Sequence, residues 1–226
     1  MKITFYGHAC FGIDIEGVKI LIDPFITPNP LAKDIDVDSI EADYVLLSHG
    51  HEDHVADALS ICQRTNAVLV SNFEIVSWFA SKGHENGHPM NIGGRKDFGS
   101  FSLKYVNAIH SSVLPDGSYG GNPGGFIINA NGKCIYFAGD TALNYDMKLI
   151  ADYERLDLAI LPIGDNFTMG YKDACIASKF VDCRKIVGMH YDTFPYIVID
   201  KEEAIEHFKK REKELILLDI GETLNI

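Results

Sequence analysis

The sequence predicts an α/β fold, a four-layer sandwich in which two mixed β-sheets pack together and helices cover their outer faces. Two observations predict this arrangement. Strand-like runs separated by turns occur in both halves of the chain, and in both halves some of these runs alternate with helix-like segments. No linker, repeat or low-complexity segment interrupts the 226 residues, so we expect one domain over residues 1–226.

The individual elements follow from hydrophobic periodicity. Apolar and polar residues alternate in KITFYG at the start of the chain, which is typical of a strand with one buried face. Ten further runs indicate strands: FGIDIEG, VKILID, DYVLLS, AVLVS, SFSLKYVNA, GGFIINA, KCIYFAG, LDLAILPI, RKIVGM and LILLDI. Four helices are expected between them, over residues 57–64, 73–81, 172–181 and 201–210.

The composition limits the class of partner and the compartment. Twenty Lys and Arg residues stand against 32 Asp and Glu, and the net charge of −12 argues against nucleic acid because it repels phosphate backbones. No apolar run approaches the roughly 20 residues that span a bilayer, and no signal peptide is expected, so we predict no membrane partner. The five cysteines include no CxxC pair, which indicates reduced thiols and a cytoplasmic protein.

The segment SHGHEDHV at residues 48–55 contains three of the nine histidines. His49 and His51 project to the same side where the strand DYVLLS ends, because residues i and i+2 of an extended chain do so. Asp53 and His54 follow where the chain turns toward a helix. Imidazole nitrogens and carboxylate oxygens bind zinc and related divalent ions. A polar loop with chance histidines is the alternative, and four ligand-type residues in the pattern HxHxDH argue against it.

Three other predicted strands end in residues of the same chemical type, namely His110, Asp140 and His190. Strand ends in α/β folds direct side chains into a shared crevice. We therefore expect two divalent metal ions, with zinc favoured and manganese or iron as alternatives. The seven ligands divide between the ions: His49, His51 and His110 for the first, Asp53, His54 and His190 for the second, and Asp140 as a bridge.

A centre of this kind predicts a hydrolase. Two ions roughly 3.5–4 Å apart lower the pKa of a shared water and hold it as hydroxide, which attacks a carbonyl or phosphoryl centre. Asp53 would orient this nucleophile or move its proton, so it is expected to be catalytic as well as a ligand. The expected substrate is a small, anionic ester, lactone or phosphodiester, because the ions leave the floor of the cleft positively charged.

Five short motifs carry a family resemblance. They are GHACF (7–11), LIDPF (21–25), HGHEDH (49–54), FAGDT (137–141) and LPIGDNFTMG (161–170). Together with the ligand-type residues they resemble the metallo-β-lactamase superfamily, and within it a branch of small metal-dependent hydrolases similar to the L-ascorbate-6-phosphate lactonases. The resemblance extends from residue 7 to about residue 195 and implies an αββα sandwich with a binuclear metal site.

Four residues outside the ligand set are weaker candidates. The resemblance implies that Asp23 supports the HxHxDH loop through hydrogen bonds, with a simple Asp-Pro turn as the alternative. It also favours a substrate-facing, catalytic role for His8, as a proton donor or an anion contact, over a structural histidine. Asn166 and Tyr191 are expected to bind substrate because they follow the strand LAILPIG and the ligand His190, with packing against neighbouring residues as the alternative.

Two other classes of function stay open at this stage. The same fold hosts iron-dependent oxidoreductases, although the di-iron flavoproteins replace the second His of HxHxDH with Glu, and His51 is intact here. A non-catalytic metal-binding protein is the third class, against which the complete ligand set argues. An edge strand or an exposed helix could pair two copies of the chain, so a homo-oligomer is also open.

Overall fold

Two seven-stranded sheets form the centre of the computed structural model, which describes residues 1–226. The first sheet contains β1 (Lys2–Gly7), β2 (Cys10–Ile15), β3 (Val18–Ile22), β4 (Tyr44–Leu46), β5 (Val68–Asn72), β6 (Gly87–Met90) and β14 (Thr223–Asn225). Its strands lie in the order β14-β1-β2-β3-β4-β5-β6. The strands from β3 to β6 are parallel to one another, so their carboxyl ends share one edge of the sheet.

The second sheet has the same plan. It contains β7 (Arg95–Asp97), β8 (Ser102–Asn107), β9 (Gly124–Ala130), β10 (Lys133–Phe137), β11 (Leu158–Pro162), β12 (Lys185–Met189) and β13 (Glu214–Ile216). Its order is β13-β12-β11-β10-β9-β8-β7. The strands from β10 to β13 are parallel, whereas β7, β8 and β9 are antiparallel to their neighbours.

Six α-helices accompany the sheets. They are α1 (Glu52–Val55), α2 (Ala58–Thr65), α3 (Phe73–Ser81), α4 (Met147–Tyr153), α5 (Tyr171–Phe180) and α6 (Lys201–Lys209). Apolar residues of α2 and α3 pack on the outer face of the first sheet, and those of α4, α5 and α6 pack on the outer face of the second. None of the helices combines the length and the apolar character that crossing a bilayer requires.

The main core lies between the two sheets. In β10, Ile135 and Phe137 point into this core, whereas Tyr136 between them points toward the helices of the second sheet. Successive side chains of a strand face opposite sides, so a strand covered on both faces is apolar throughout. The four-layer αββα sandwich predicted from the sequence is therefore confirmed.

The elements that the sequence did not predict are short. They are α1, α4 and the strands β6, β7 and β14, of which β7, with the sequence RKD, is exposed along its whole length. The three strands lie at the margins of the sheets or near them and lack a buried apolar run. Periodicity carries no signal for such strands, because backbone pairing to a neighbour holds them in place.

Truncating Phe79 is expected to test the outer layer of the first sheet. This ring on α3 is fully buried, so Phe79→Ala should lower the free energy of unfolding by about 3–5 kcal/mol. Phe73 lies on the same helix with 60% of its surface exposed, and Phe73→Ala should change stability by no more than about 0.5 kcal/mol. Urea unfolding of both variants measures the difference, and equal losses would contradict the packing described.

Candidate metal centre

Parallel strand ends from both sheets meet at one crevice. Asp23 follows β3 and His49 follows β4 in the first sheet, while Asp140 and His190 come just after β10 and β12 in the second. The backbone N–H of His190 donates a hydrogen bond of 2.8 Å to the carbonyl oxygen of His8, which joins the two sheets beside the crevice. The fold therefore brings together residues that lie more than a hundred positions apart in the sequence.

The HxHxDH segment folds as a turn into the short helix α1. His49 and His54 are fully buried, whereas His51 and Asp53 reach a cleft. His49 Nε2 lies 3.0 Å from His51 Nδ1, and the two rings are nearly perpendicular. His110 completes this group, because its ring centroid lies 5.0 Å from that of His51. His49, His51 and His110 thus form the first cluster, in which one nitrogen from each ring lies within 4.8 Å of the others.

A second cluster forms on the other side of the crevice. It contains Asp53, His54 and His190, whose potential ligand atoms also lie within 4.8 Å of one another, together with His8. His190 Nε2 lies 3.8 Å from Asp53 Oδ2. All of these side chains except Asp53 are buried, so they sit in a region of low dielectric constant where opposite charges attract strongly.

Asp140 lies between the two clusters. Its Oδ2 atom is close to a ring nitrogen of four histidines: 3.0 Å from His190, 3.3 Å from His54, 3.5 Å from His110 and 4.0 Å from His49. The structure therefore gathers four of the predicted ligand-type histidines around the Asp140 carboxylate, and the remaining two residues, His51 and Asp53, lie in the same two clusters.

Asp23 is connected to both clusters through hydrogen bonds. Its Oδ2 atom accepts from His54 Nδ1 at 2.8 Å and from the hydroxyl of Ser48 at 2.6 Å. The Ser48 oxygen in turn lies 2.9 Å from His49 Nδ1, which donates to it because the hydroxyl hydrogen is already used. One carboxylate thus fixes Nδ1 as the protonated nitrogen in His49 and His54, and directs Nε2 of each ring toward Asp140.

His8 does not face the cleft. The residue is 2% exposed, and its ring lies between Thr193 and Asp53, with Nδ1 2.9 Å from Thr193 Oγ1 and Nε2 3.1 Å from Asp53 Oδ2. Burial, reinforced by the nearby His190, lowers the pKa of His8 to about 4, so the ring is neutral near pH 7. A role of His8 in catalysis or substrate binding stays a prediction; in this structure the ring holds the Asp53 carboxylate.

The two predicted substrate contacts, Asn166 and Tyr191, are not among the residues that line the cleft. Asn166 is exposed on the loop after β11 and is absent from the lining of the cleft that contains the histidines. Tyr191 is 8% exposed and packs in the core under the second sheet, with its ring 5.4 Å from Lys201 Nζ. The aromatic residues that line the cleft are instead Phe167, Phe194 and Tyr196. Phe167 directly follows Asn166, so the loop predicted to contact substrate does reach the cleft, through a different residue.

The charges of the carboxylates follow from their neighbours. Burial raises the pKa of Asp140, but the charges of His190 and His54 outweigh it and hold this pKa well below its usual value. Burial likewise raises the pKa of Asp53, while His54 and the hydrogen bond from His8 lower it overall. Both side chains are therefore carboxylates near neutral pH, as metal ligands have to be.

Two polar atoms of the crevice fit a bound cation. Asp140 Oδ1 and His54 Nε2 are buried and have no hydrogen-bond partner. Buried polar atoms without a partner are rare in proteins, because leaving them unpaired is costly. The pKa of His54 is also well above its usual value, since Asp140 and Asp53 outweigh the effect of burial, and a cation can replace that extra proton. The residues present therefore fit a metal centre.

Comparison with known proteins places the chain in a family. A family model of the beta-lactamase superfamily domain matches residues 2–190. The sequence is 58% identical to a UPF0173 metal-dependent hydrolase of Flavobacterium johnsoniae and 57% identical to one of Christiangramia forsetii, over the full length of both chains in each pair. A metallo hydrolase of the archaeon Ignicoccus hospitalis has a TM-score of 0.89 at 36% identity, covering 99% of this chain and 97% of that chain. The chain therefore belongs to the β-lactamase superfamily, with the metallo-β-lactamase fold, and within it to the UPF0173 metal-dependent hydrolases.

Proposed function

We propose that the chain is a binuclear metal-dependent hydrolase that acts on a small ester, lactone or phosphodiester. The position of Asp140 carries this proposal. Its Oδ2 atom lies within 4.0 Å of His49 and His110 of the first cluster and of His54 and His190 of the second. A carboxylate shared by two sets of ligands is what a two-metal site needs.

The two clusters divide the ligands. His49, His51 and His110 would hold one ion, Asp53, His54 and His190 the other, and Asp140 both. The donor atoms are all nitrogen or oxygen, which favours zinc and also suits manganese or iron. When bound, the ions supply Lewis acidity toward a substrate oxygen and lower the pKa of water.

The side chains of the crevice position the reacting groups. Asp53 reaches the cleft with 26% of its side chain exposed, and as a carboxylate it can accept a proton from water. A neutral His8 has to donate from Nε2, because the carboxylate oxygen that it contacts is an acceptor. This hydrogen bond fixes Asp53 Oδ2. The cleft has a volume of about 510 Å³, which suits a small molecule.

Metal content and hydrolysis test the proposal together. Protein purified without chelators or nickel should contain about two zinc or manganese ions per chain by mass spectrometry, as in other two-metal hydrolases. It should hydrolyse members of a panel of esters, lactones and phosphodiesters, and a chelator should stop the reaction. Iron with oxygen consumption would contradict the proposal in favour of redox chemistry. Failure to bind any of the three metals when they are added back would contradict it as well.

A further inference from the structure

One side of the cleft is apolar and aromatic. The metal-type side chains and Ser111 line one part of it, and Phe167, Phe194, Pro195 and Tyr196 line the rest, which we call the aromatic wall. The rings of Phe167 and Tyr196 lie 6.1 Å apart in an edge-to-face arrangement, although the residues are 49% and 74% exposed. Large exposed rings that gather beside a polar site mark a binding surface.

Both exposed rings are held by buried anchors. The loop that carries Phe167 is fixed by Met169, which is 2% exposed and donates a backbone hydrogen bond of 3.0 Å to Thr141 O. The turn that carries Tyr196 is fixed by the fully buried Ile197, whose carbonyl oxygen accepts from the backbone N–H of Asp192 at 2.8 Å. A buried side chain and a backbone hydrogen bond thus anchor the chain beside each ring, which reduces the ordering that binding there requires.

No lysine or arginine lines the cleft. The sequence predicts an anionic substrate. Its negative charge would have no lysine or arginine beside it in the cleft and could be neutralised only at the metal centre. The rest of the substrate meets aromatic carbon. Flat apolar groups pack well against such rings, and edge-to-face contacts add to the gain from burial.

We infer that the aromatic wall binds an apolar, ring-shaped group of the substrate next to the bond that is broken. The substrate class is therefore a small ester or lactone with an aryl substituent. This inference rests on the hydrolase function proposed above, and it assigns Phe167 and Tyr196 as the residues that determine specificity.

Binding of N-phenyl-1-naphthylamine, a neutral aromatic probe that fluoresces in apolar sites, tests the wall without any reaction. Phe167→Ala and Tyr196→Ala should each weaken binding about tenfold, a usual value for losing part of an apolar pocket. Tyr145→Ala is the matched control, because Tyr145 is also 74% exposed but lies outside the cleft, against Phe180. This variant should bind the probe like the unaltered protein.

Kinetics with the metal-loaded protein provide the second arm. The ratio of kcat/KM for methyl 3-phenylpropanoate to that for methyl propanoate should exceed one and should fall about tenfold in Tyr196→Ala and Phe167→Ala. If neither ester is hydrolysed but the two variants weaken probe binding as expected, the aromatic wall is supported as a binding site for an apolar ring and the proposed ester hydrolysis is contradicted. If both esters are hydrolysed, and neither the ratio of kcat/KM values nor probe binding changes in the variants, the proposed role of the aromatic wall is contradicted and the proposed hydrolase function is not. Conversion of a dimer to a monomer by these variants, seen by sedimentation, would also overturn it, because the rings would then cover a second copy of the chain.

Discussion

Asp140→Ala is expected to lose bound metal and hydrolytic activity together. The carboxylate is 2% exposed, and its Oδ2 atom lies within 4.0 Å of ring nitrogens from both clusters. Removing it leaves four histidine rings facing one another without the negative charge that offsets a cation. Replacing a partner that only orients a metal ligand costs about 10–100-fold in affinity or activity, so losing a shared ligand should lower kcat/KM by more than about 100-fold.

The measurement is metal per chain by mass spectrometry, followed by hydrolysis with metal added in excess. Asp152→Ala provides the control, because Asp152 is an exposed aspartate on α4, away from the cleft. Circular dichroism should show that both variants fold. If Asp140→Ala keeps two ions and its activity, Asp140 is not a shared ligand and the two-metal proposal loses its main support.

Four of the ligand-type residues, His49, His110, Asp140 and His190, could be located at strand ends from the sequence because each one follows an apolar strand. Runs such as KCIYFAG identify buried parallel strands, and the next residue has to lie at the sheet edge where the strands end. Asp140 follows this run and lies at the centre of the crevice. A strand pattern therefore predicts where the backbone of the following residues lies, because the strand fixes the position of its last residue.

The direction of loop side chains could not be predicted in the same way. Asp165 and Asn166 adopt left-handed backbone with φ of 64° and 58°, which turns the Asn166 side chain out of the cleft and places Phe167 at it. His190 also has left-handed backbone, with φ of 57°, and Tyr191 after it packs into the core. A single sequence does not reveal such a change at a non-glycine residue, because tertiary contacts hold it in place.

The position of His8 illustrates a second limit. Sequence proximity to a strand end indicated a site residue, and the ring does lie in the second cluster. Whether it contacts substrate or another side chain depends on which residues cover it. Phe25 and Phe194 pack at ring distances of 5.5 and 5.3 Å and close it off from the cleft. Phe25 and Phe194 come from loops that are distant from His8 in the sequence, so their packing on its ring can be seen only in the folded chain.

Asp23→Asn is expected to weaken metal binding about 10–100-fold while the fold is retained, because it disturbs the orientation of ligands in both clusters. The carboxylate accepts from Ser48 and from His54, and through Ser48 it also fixes His49. The Ser48 backbone N–H donates to Oδ1, whereas the Ser48 hydroxyl and His54 Nδ1 donate to Oδ2, so the NH2 group of an amide meets a donor in either orientation. This mismatch displaces the side chain and weakens the hydrogen bonds that direct Nε2 of His49 and His54 toward Asp140.

Asp57→Asn separates this effect from a general loss of stability. Asp57 is a buried aspartate that accepts from the backbone N–H groups of Ile26 and Thr27 and contacts no ligand. Its substitution should lower the free energy of unfolding by roughly 1–3 kcal/mol, since both backbone N–H groups donate to Oδ2 and a neutral amide oxygen in its place is a weaker acceptor than a carboxylate. Zinc affinity, measured by competition with a chromophoric chelator, should stay unchanged in Asp57→Asn and fall in Asp23→Asn. If both variants bind zinc equally well, the hydrogen bonds of Asp23 support the loop without setting the ligand nitrogens.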